Sequence, residues 1–249
     1  MSRALLTFVL NALIDAATVA VMSDEKTSAG GVRARVRAEL TAEIKALATK
    51  QLETEGASAI SLRAISREVG MASSAIYRYF ASREELLTAL IIDAFNDLGE
   101  SVESADATYS REDFHGRFVA IAKAVRIWAL ANPHQYALIY GSPVPGYSAP
   151  QDTIDPAIRT PVALISVLVD AKSSGTVRRS KSQLAASLHG LSEFTGNSVA
   201  VTELAPAVEA WGEIFGLVSL ELFGHFTNAI DNPEHFFGHA VDAMAERVL

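Results

Sequence analysis

Apolar positions along most of this chain recur at three- and four-residue intervals, the period of an α-helix. Val- and Ile-rich runs bounded by tight turns are scarce. The pattern predicts helices over about 37–55, 62–69, 82–100, 112–131, 134–140, 157–172, 181–201, 205–230 and 234–248, with a further short one carrying Ile76 and Phe80. This makes an all-α fold the expectation. In the helix that begins at Leu62, Leu62, Ile65 and Val69 fall at i, i+3 and i+7, leaving Arg63, Ser66, Arg67 and Glu68 on the other faces. Gly70 follows the last periodic residue and suits the left-handed position that ends a helix, after which Met71 turns inward. In the next short helix Ile76 and Phe80 face inward, while Ser73, Ser74, Tyr77, Arg78 and Tyr79 take up the outer surface. A helix this short is not stable alone. Its hydroxyls, guanidinium and phenols are the groups that reach phosphates and base edges from a major groove. Ser82 then opens another helix with a capping box, since Glu85 lies three residues on and Leu86, Leu87 and Leu90 begin an apolar stripe. The arrangement reads as a helix-turn-helix.

The phrase Gly70-Met71-Ala72-Ser73-Ser74-Ala75-Ile76-Tyr77-Arg78-Tyr79-Phe80, followed by Ser82-Arg83-Glu84-Glu85-Leu86, resembles the DNA-binding signature of TetR-type transcriptional regulators. A preceding helix closed by Gly56 completes that family's pattern in order and spacing. One departure is Ala72, where Ser or Thr is common; losing that hydroxyl cap costs about 0.5–2 kcal/mol unless Ser73 takes it over one position later. The resemblance implies that Tyr77 and Arg83 bind phosphate, Arg83 from a helix N-terminus whose dipole also favours an anion. It makes Arg63, Ser73, Ser74 and Arg78 candidates for base edges, with Tyr79 in the same contact group. The bland alternative is a polar surface with Tyr77 half-buried. Further on, Trp211-Gly212-Glu213-Ile214-Phe215-Gly216 is similar to the C-terminal domain of a TetR subgroup named for Trp, His and Gly, with Phe215 at the His position. In that family the last two long helices form a dimer bundle, which implies the same for parts of 181–201 and 205–230. Gly212, Gly216 and Gly224 each cost about 0.8–1 kcal/mol against Ala in a helix, and close approach of another helix is a reason for them.

Charge divides unevenly. The chain of 249 residues carries −8 overall, but residues 1–30 hold two basic and three acidic groups, 31–92 nine and seven, and 93–249 ten and nineteen. The motif region is therefore basic, and Arg33, Arg35 and Arg37 extend it as an arm ahead of its first helix, or stand as an ordinary solvated charge run. The absence of cysteine excludes disulfides, thiol catalysis and Cys-containing zinc sites and fits a reducing cytoplasm. The apolar stretch from Ala4 to Met22 looks like a signal peptide or membrane span, but Asn11 and Asp15 interrupt it, and a carboxylate in mid-span costs about 2.5–3.5 kcal/mol. The Met22-Ser23-Asp24 stretch reads as a flexible protein start, so native translation is expected at or near Met22, with what precedes it either untranslated or a loosely attached helix.

A ligand site is the second candidate. Trp128, Tyr136, Tyr140, Phe194, Trp211 and Phe215 are large rings that either line a cavity or pack a core, and the loop over 141–156, with four prolines and two glycines, is placed to cover something. His235 and His239 share i, i+4 spacing, but no third ligand or general base accompanies them, so no metal or other cofactor is expected. No nucleophile elbow, P-loop or dinucleotide fingerprint is present, so no enzyme is indicated. The expectation is an extension over 1–30, a DNA-binding domain over 31–92 and a ligand-binding, dimerising domain over 93–249. Such a protein is a homodimeric regulator, a repressor by preference, of a near-palindromic operator in double-stranded DNA. A small apolar or amphipathic effector releases it, with no membrane partner. The rival reading is a helical small-molecule binding or carrier protein with little DNA affinity.

Overall fold

The computed structural model describes residues 28–175 and 201–249, with side chains from 31 and from 205 in the two stretches. Eight α-helices and no strand occur among the described residues. They are α1 (Ser28–Glu55), α2 (Leu62–Glu68), α3 (Arg83–Asp106), α4 (Phe114–Ala131), α5 (Pro133–Tyr140), α6 (Ile154–Ser173), α7 (Val201–Leu222) and α8 (Pro233–Val248). The chain divides into two compact units, residues 1–46 and 47–249.

In the first unit the described chain is the N-terminal part of α1. The sequence pattern starts this helix at 37, yet it already runs at Ser28, so Arg33, Arg35 and Arg37 are exposed turns of helix and not an arm before it. Gly30 and Gly31 lower helix propensity without forbidding it, and Arg35 pairs with Glu39 across one turn at 3.7 Å.

The second unit begins with the end of α1, closed at Gly56, whose φ is 81° and whose N–H reaches the Leu52 carbonyl at 3.1 Å. Ser61 caps α2 by accepting the Ala64 N–H at 3.4 Å. The stop at Gly70 is a Schellman motif: φ is 74°, Met71 N–H donates to Ser66 O at 2.8 Å and Gly70 N–H to Arg67 O at 3.2 Å. The short helix expected next is a 3₁₀ turn, Ile76–Arg78. Its bonds Ala75→Ala72, Arg78→Ala75 and Tyr79→Ile76 each span three residues, and no side chain caps it, so Ser73 does not take over the cap. Ser82 accepts the Glu85 N–H at 3.2 Å, and the Glu85 carboxylate answers at the Ala81 N–H, 2.6 Å away, which places the reciprocal half of the capping box one residue early.

α3 runs past the expected end at 100 because its apolar stripe continues through Leu98 and Val102. It packs against α4 and α6, and α4 also packs against α6, α7 and α8. The resulting core includes Leu98, Phe118, Ile121, Val125, Val167, Ile214, Val218, Val241 and Met244, all nearly or wholly buried. α6 starts at Ile154, earlier than the proline-rich sequence suggests, following a 3₁₀ turn at Gln151–Thr153. α7 stops at Leu222, not near 230: Gly224 has φ 80°, and the bonds His225→Leu220 and Gly224→Glu221 form a second Schellman motif. Gly224 is thus a terminator and not a helix-contact glycine. Of the expected helix over 181–201 only Val201 is described, as the first residue of α7, and Phe194 lies outside the described residues.

Ionic groups tie the bundle together. Arg117, wholly buried, donates to Asp106 from Nε at 2.7 Å and from Nη2 at 3.1 Å, and to Asp170 from Nη1 at 2.7 Å, joining α3, α4 and α6. Arg159 of α6 grips α3 through Glu103, at 2.8 and 2.6 Å, and through the Asn96 carbonyl at 2.9 Å. Gly99 makes that crossing possible, since a Cβ there would lie 2.7 Å from Arg159 Nε. Arg126 and Glu221 form a two-pronged pair between α4 and α7 at 2.7 and 2.6 Å.

Candidate functional site

The helix-turn-helix is held from inside by Leu62, Ile65, Ile76, Phe80, Leu86 and Leu87, all buried. With Ile76 and Phe80 inward, the 73–79 stretch turns Ser73, Ser74, Tyr77 and Arg78 to solvent, and Arg63 is exposed on α2. Tyr77 is 45% exposed, so it is not the half-buried packing residue of the bland alternative. Tyr79 is half-buried. Two cations, two hydroxyls and a phenol therefore share one short outward stretch and the helix before it, a composition suited to phosphate and base-edge contacts.

Arg83 sits differently. Its Nε donates to Ile60 O at 3.2 Å and its Nη2 to Ala57 O at 2.8 Å, fastening the 57–60 turn to the N-terminus of α3. Gln51 works from the other side, accepting the Ser61 N–H at 3.0 Å and so securing the residue that caps α2. Neither anchor is visible in the sequence, because each joins residues ten or more positions apart with no periodic signal.

The aromatic candidates separate on inspection of their polar tips. Trp128 is core, with its indole N–H on Asp97 Oδ2 at 2.8 Å. Tyr136 is wholly buried and its hydroxyl, 3.1 Å from Phe215 O and 2.8 Å from Ser219 Oγ, is satisfied by α7. Burial pushes the Tyr136 phenol upward from its usual value, against the Ser219 hydrogen bond; burial does the same to Tyr140, helped by neighbouring Tyr136. Rings of Tyr136, Tyr140, Trp211 and Phe215 form one cluster, with centroids 5.3 Å apart for Tyr136–Tyr140, 4.3 Å for Tyr140–Phe215 and 5.4 Å for Trp211–Phe215. The buried Trp211 indole N–H has no hydrogen-bond partner among the described residues.

Of these rings only Tyr140 lines a cleft of about 880 Å³. One wall is Leu52 with Gly56, Ala57 and Ser58; the other is α5 with Gly141 to Pro145 of the proline-rich loop, and Ser219 of α7 and Phe223 just past its end close it. Beyond the cleft the same loop reaches α3, where the Tyr147 hydroxyl lies 2.9 Å from Thr88 Oγ1. Of the rings that the sequence offers as a ligand lining, Tyr136, Tyr140, Trp211 and Phe215 pack against one another between α5 and α7. Among the described residues no cluster of His, Asp and Glu is suited to a metal, and no helix is long and apolar enough to cross a membrane.

Comparison with known proteins follows the same division. Residues 44–90 match the model of the bacterial regulatory proteins of the tetR family, and residues 118–244 match that of the tetracyclin repressor-like C-terminal domain. The HTH-type transcriptional regulator Rv1816 of Mycobacterium tuberculosis is 38% identical over 204 residues, spanning 79% of this chain and 86% of that one. A counterpart in Mycobacterium bovis, Mb1846, has the same identity over the same shares of the two chains. Among solved structures, SCO4313 is 37% identical with a TM-score of 0.72, covering 84% of this chain and 97% of that one. A tetR-family regulatory protein from Rhodococcus RHA1 shares the fold at 16% identity and a TM-score of 0.59, over 84% and 96% of the two chains.

Proposed function

The chain belongs to the TetR family of transcriptional regulators, and from that premise we propose that it is a homodimeric repressor of a near-palindromic operator, released by a small effector. The observation that carries the proposal is the outward array of Arg63, Ser73, Ser74, Tyr77 and Arg78 over a buried Ile76 and Phe80. Small hydroxyls at the head of the motif allow close approach to the duplex, while Arg78 and Tyr77 supply charge and a donor to phosphate. Arg83 contributes chiefly as a positioning residue, since its fork already holds two carbonyls. Residues 31–92 act as the DNA-reading part and 93–249 as the sensing and dimerising part.

Dimerisation is supported by α7, where Gly212, Gly216 and Leu220 are exposed and follow one another at helical spacing. Among the described residues no neighbouring element comes within 4 Å of a Cβ built on either glycine, which leaves the strip room for close approach by a second helix. Two copies then place their motifs about 34–36 Å apart, one turn of duplex. Such a DNA-bound function belongs in the cytoplasm.

The test is an electrophoretic shift with DNA upstream of the protein's own gene. Binding should fall steeply with added salt, as expected when phosphate neutralisation releases counterions. Arg78→Ala and Tyr77→Phe should each weaken binding by about 1–3 kcal/mol without changing the dimer or its helicity. Binding that ignores both salt and Arg78→Ala defeats the proposal.

A further inference from the structure

The regulator reading leaves open where the effector sits. We infer that the cleft between the 56–58 turn and α5 binds a neutral amphipathic small molecule, and that occupancy acts on the helix-turn-helix through Arg83 and Tyr147; this rests on the regulator reading. The volume of about 880 Å³ is that of a small-molecule site. Leu52, Ala137, Leu138, Val144 and Phe223 make the lining largely apolar, and it contains no Asp, Glu, Lys or Arg. A cation would lose hydration there without gaining a counter-charge, and an anion would find only His134. Polar capacity is present nonetheless, since Tyr140, Ser58, Ser142 and His134 line the cleft. The neighbouring Tyr136 hydroxyl is already paired.

Both walls of this cleft are bonded to the first two turns of α3. On one wall Ala57 gives its carbonyl to Arg83 at 2.8 Å. The opposite wall ends at Pro145, two residues before Tyr147, whose hydroxyl meets Thr88 Oγ1 at 2.9 Å. A molecule that spreads the walls strains one of these links and shifts the start of α3, which follows the DNA-contacting turn directly. The ring cluster meets α3 farther along, where Tyr140 packs edge-on against Phe95 with centroids 5.9 Å apart.

N-phenyl-1-naphthylamine, a neutral dye that fluoresces in apolar surroundings, serves as the probe, titrated into the full chain. It should bind saturably, one per chain, and lower the protein's affinity for its upstream DNA. Ser58→Trp, on an exposed turn, and Ala137→Trp, on α5, fill the cleft from opposite sides; each should weaken the dye by at least about tenfold, or 1.4 kcal/mol. Trp211→Phe should leave dye affinity unchanged. Tyr147→Phe should keep the dye but blunt its effect on DNA affinity. No saturable binding, undiminished binding by both cleft variants, sensitivity to Trp211→Phe instead, or an undiminished dye effect in Tyr147→Phe overturns the inference. Loss of salt-dependent DNA binding with dye binding intact would refute the regulator reading and leave the site itself standing.

Discussion

Arg117→Met removes the charge at the centre of the bundle while keeping a long, flexible side chain. Arg117 is wholly buried and is held by both oxygens of Asp106 and by Asp170, with a further contact to the Arg111 carbonyl at 3.3 Å. Deleting one partner of a buried ion pair costs about 3–5 kcal/mol, because the other is left charged and desolvated. Here two features pull the loss toward the lower end. The Asp170 side chain is 30% exposed, and Arg111 already lies 2.8 Å from Asp170 and 3.8 Å from Asp106, so it supplies part of the missing charge. The expected loss is about 3 kcal/mol, which for a chain of this size lowers the thermal midpoint by about 6–12 °C. Circular dichroism on melting, at fixed protein concentration and neutral pH, reads it. Adding Asp106→Leu and Asp170→Asn to Arg117→Met should recover much of the loss, since no carboxylate then lacks a partner. A loss below about 1 kcal/mol would mean that the group behaves as an exposed pair, and would refute the reasoning.

Three further outcomes are open to measurement. Ser82→Ala should cost about 0.5–2 kcal/mol in chemical denaturation, because only half of the capping box survives. Gly99→Ala should destabilise although Ala is the better helix former, since Arg159 Cβ stands 2.9 Å from the new atom and cannot swing clear. Gly238→Ala, with nothing within 4 Å, should gain about 0.8–1 kcal/mol and serves as its control. The Arg159 guanidinium holds the Glu103 carboxyl below its ordinary 4.5. The stability from that pair is therefore full above pH 4.5 and is lost as pH falls through the lowered value; in Glu103→Gln this part of the acid transition should disappear, as followed by pH titration of helicity.

What could be read from the residues was local. The stop at Gly70 and the box at Ser82 and Glu85 use partners within five positions, so spacing alone exposes them. The apolar faces of α2 and α4 were legible for the same reason. Boundaries failed where a local signal was outweighed: Gly30 and Gly31 lie ahead of the helix start expected at 37 but belong to α1, and Gly224 read as a helix interior but terminates α7. The short contact helix tightened into a 3₁₀ turn because Ala72 and Ala75 offer it no side-chain cap. In the site, exposure of Ser73, Ser74, Tyr77 and Arg78 followed from the inward pair Ile76 and Phe80. The fastening of Arg83 to Ala57 and Ile60 did not, and neither did the satisfaction of Trp128 by Asp97 or of Tyr136 by Ser219, which turned ligand candidates into core. Those partners are 23 or more residues away, and nothing in spacing announces them.

The grip of Arg117 and Arg159 on the far part of α3 makes that helix a lever with its pivot inside the bundle. The arm from Ser82 to the grip at Asn96 spans about 21 Å, so a tilt of roughly 5° carries Ser82 through about 2 Å. In a two-fold dimer the displacement doubles, to about 4 Å against a half-site spacing of about 34–36 Å. A change too small to disturb the packing of the core at one end is thus large enough at the other to put two reading surfaces out of step with the pitch of the duplex.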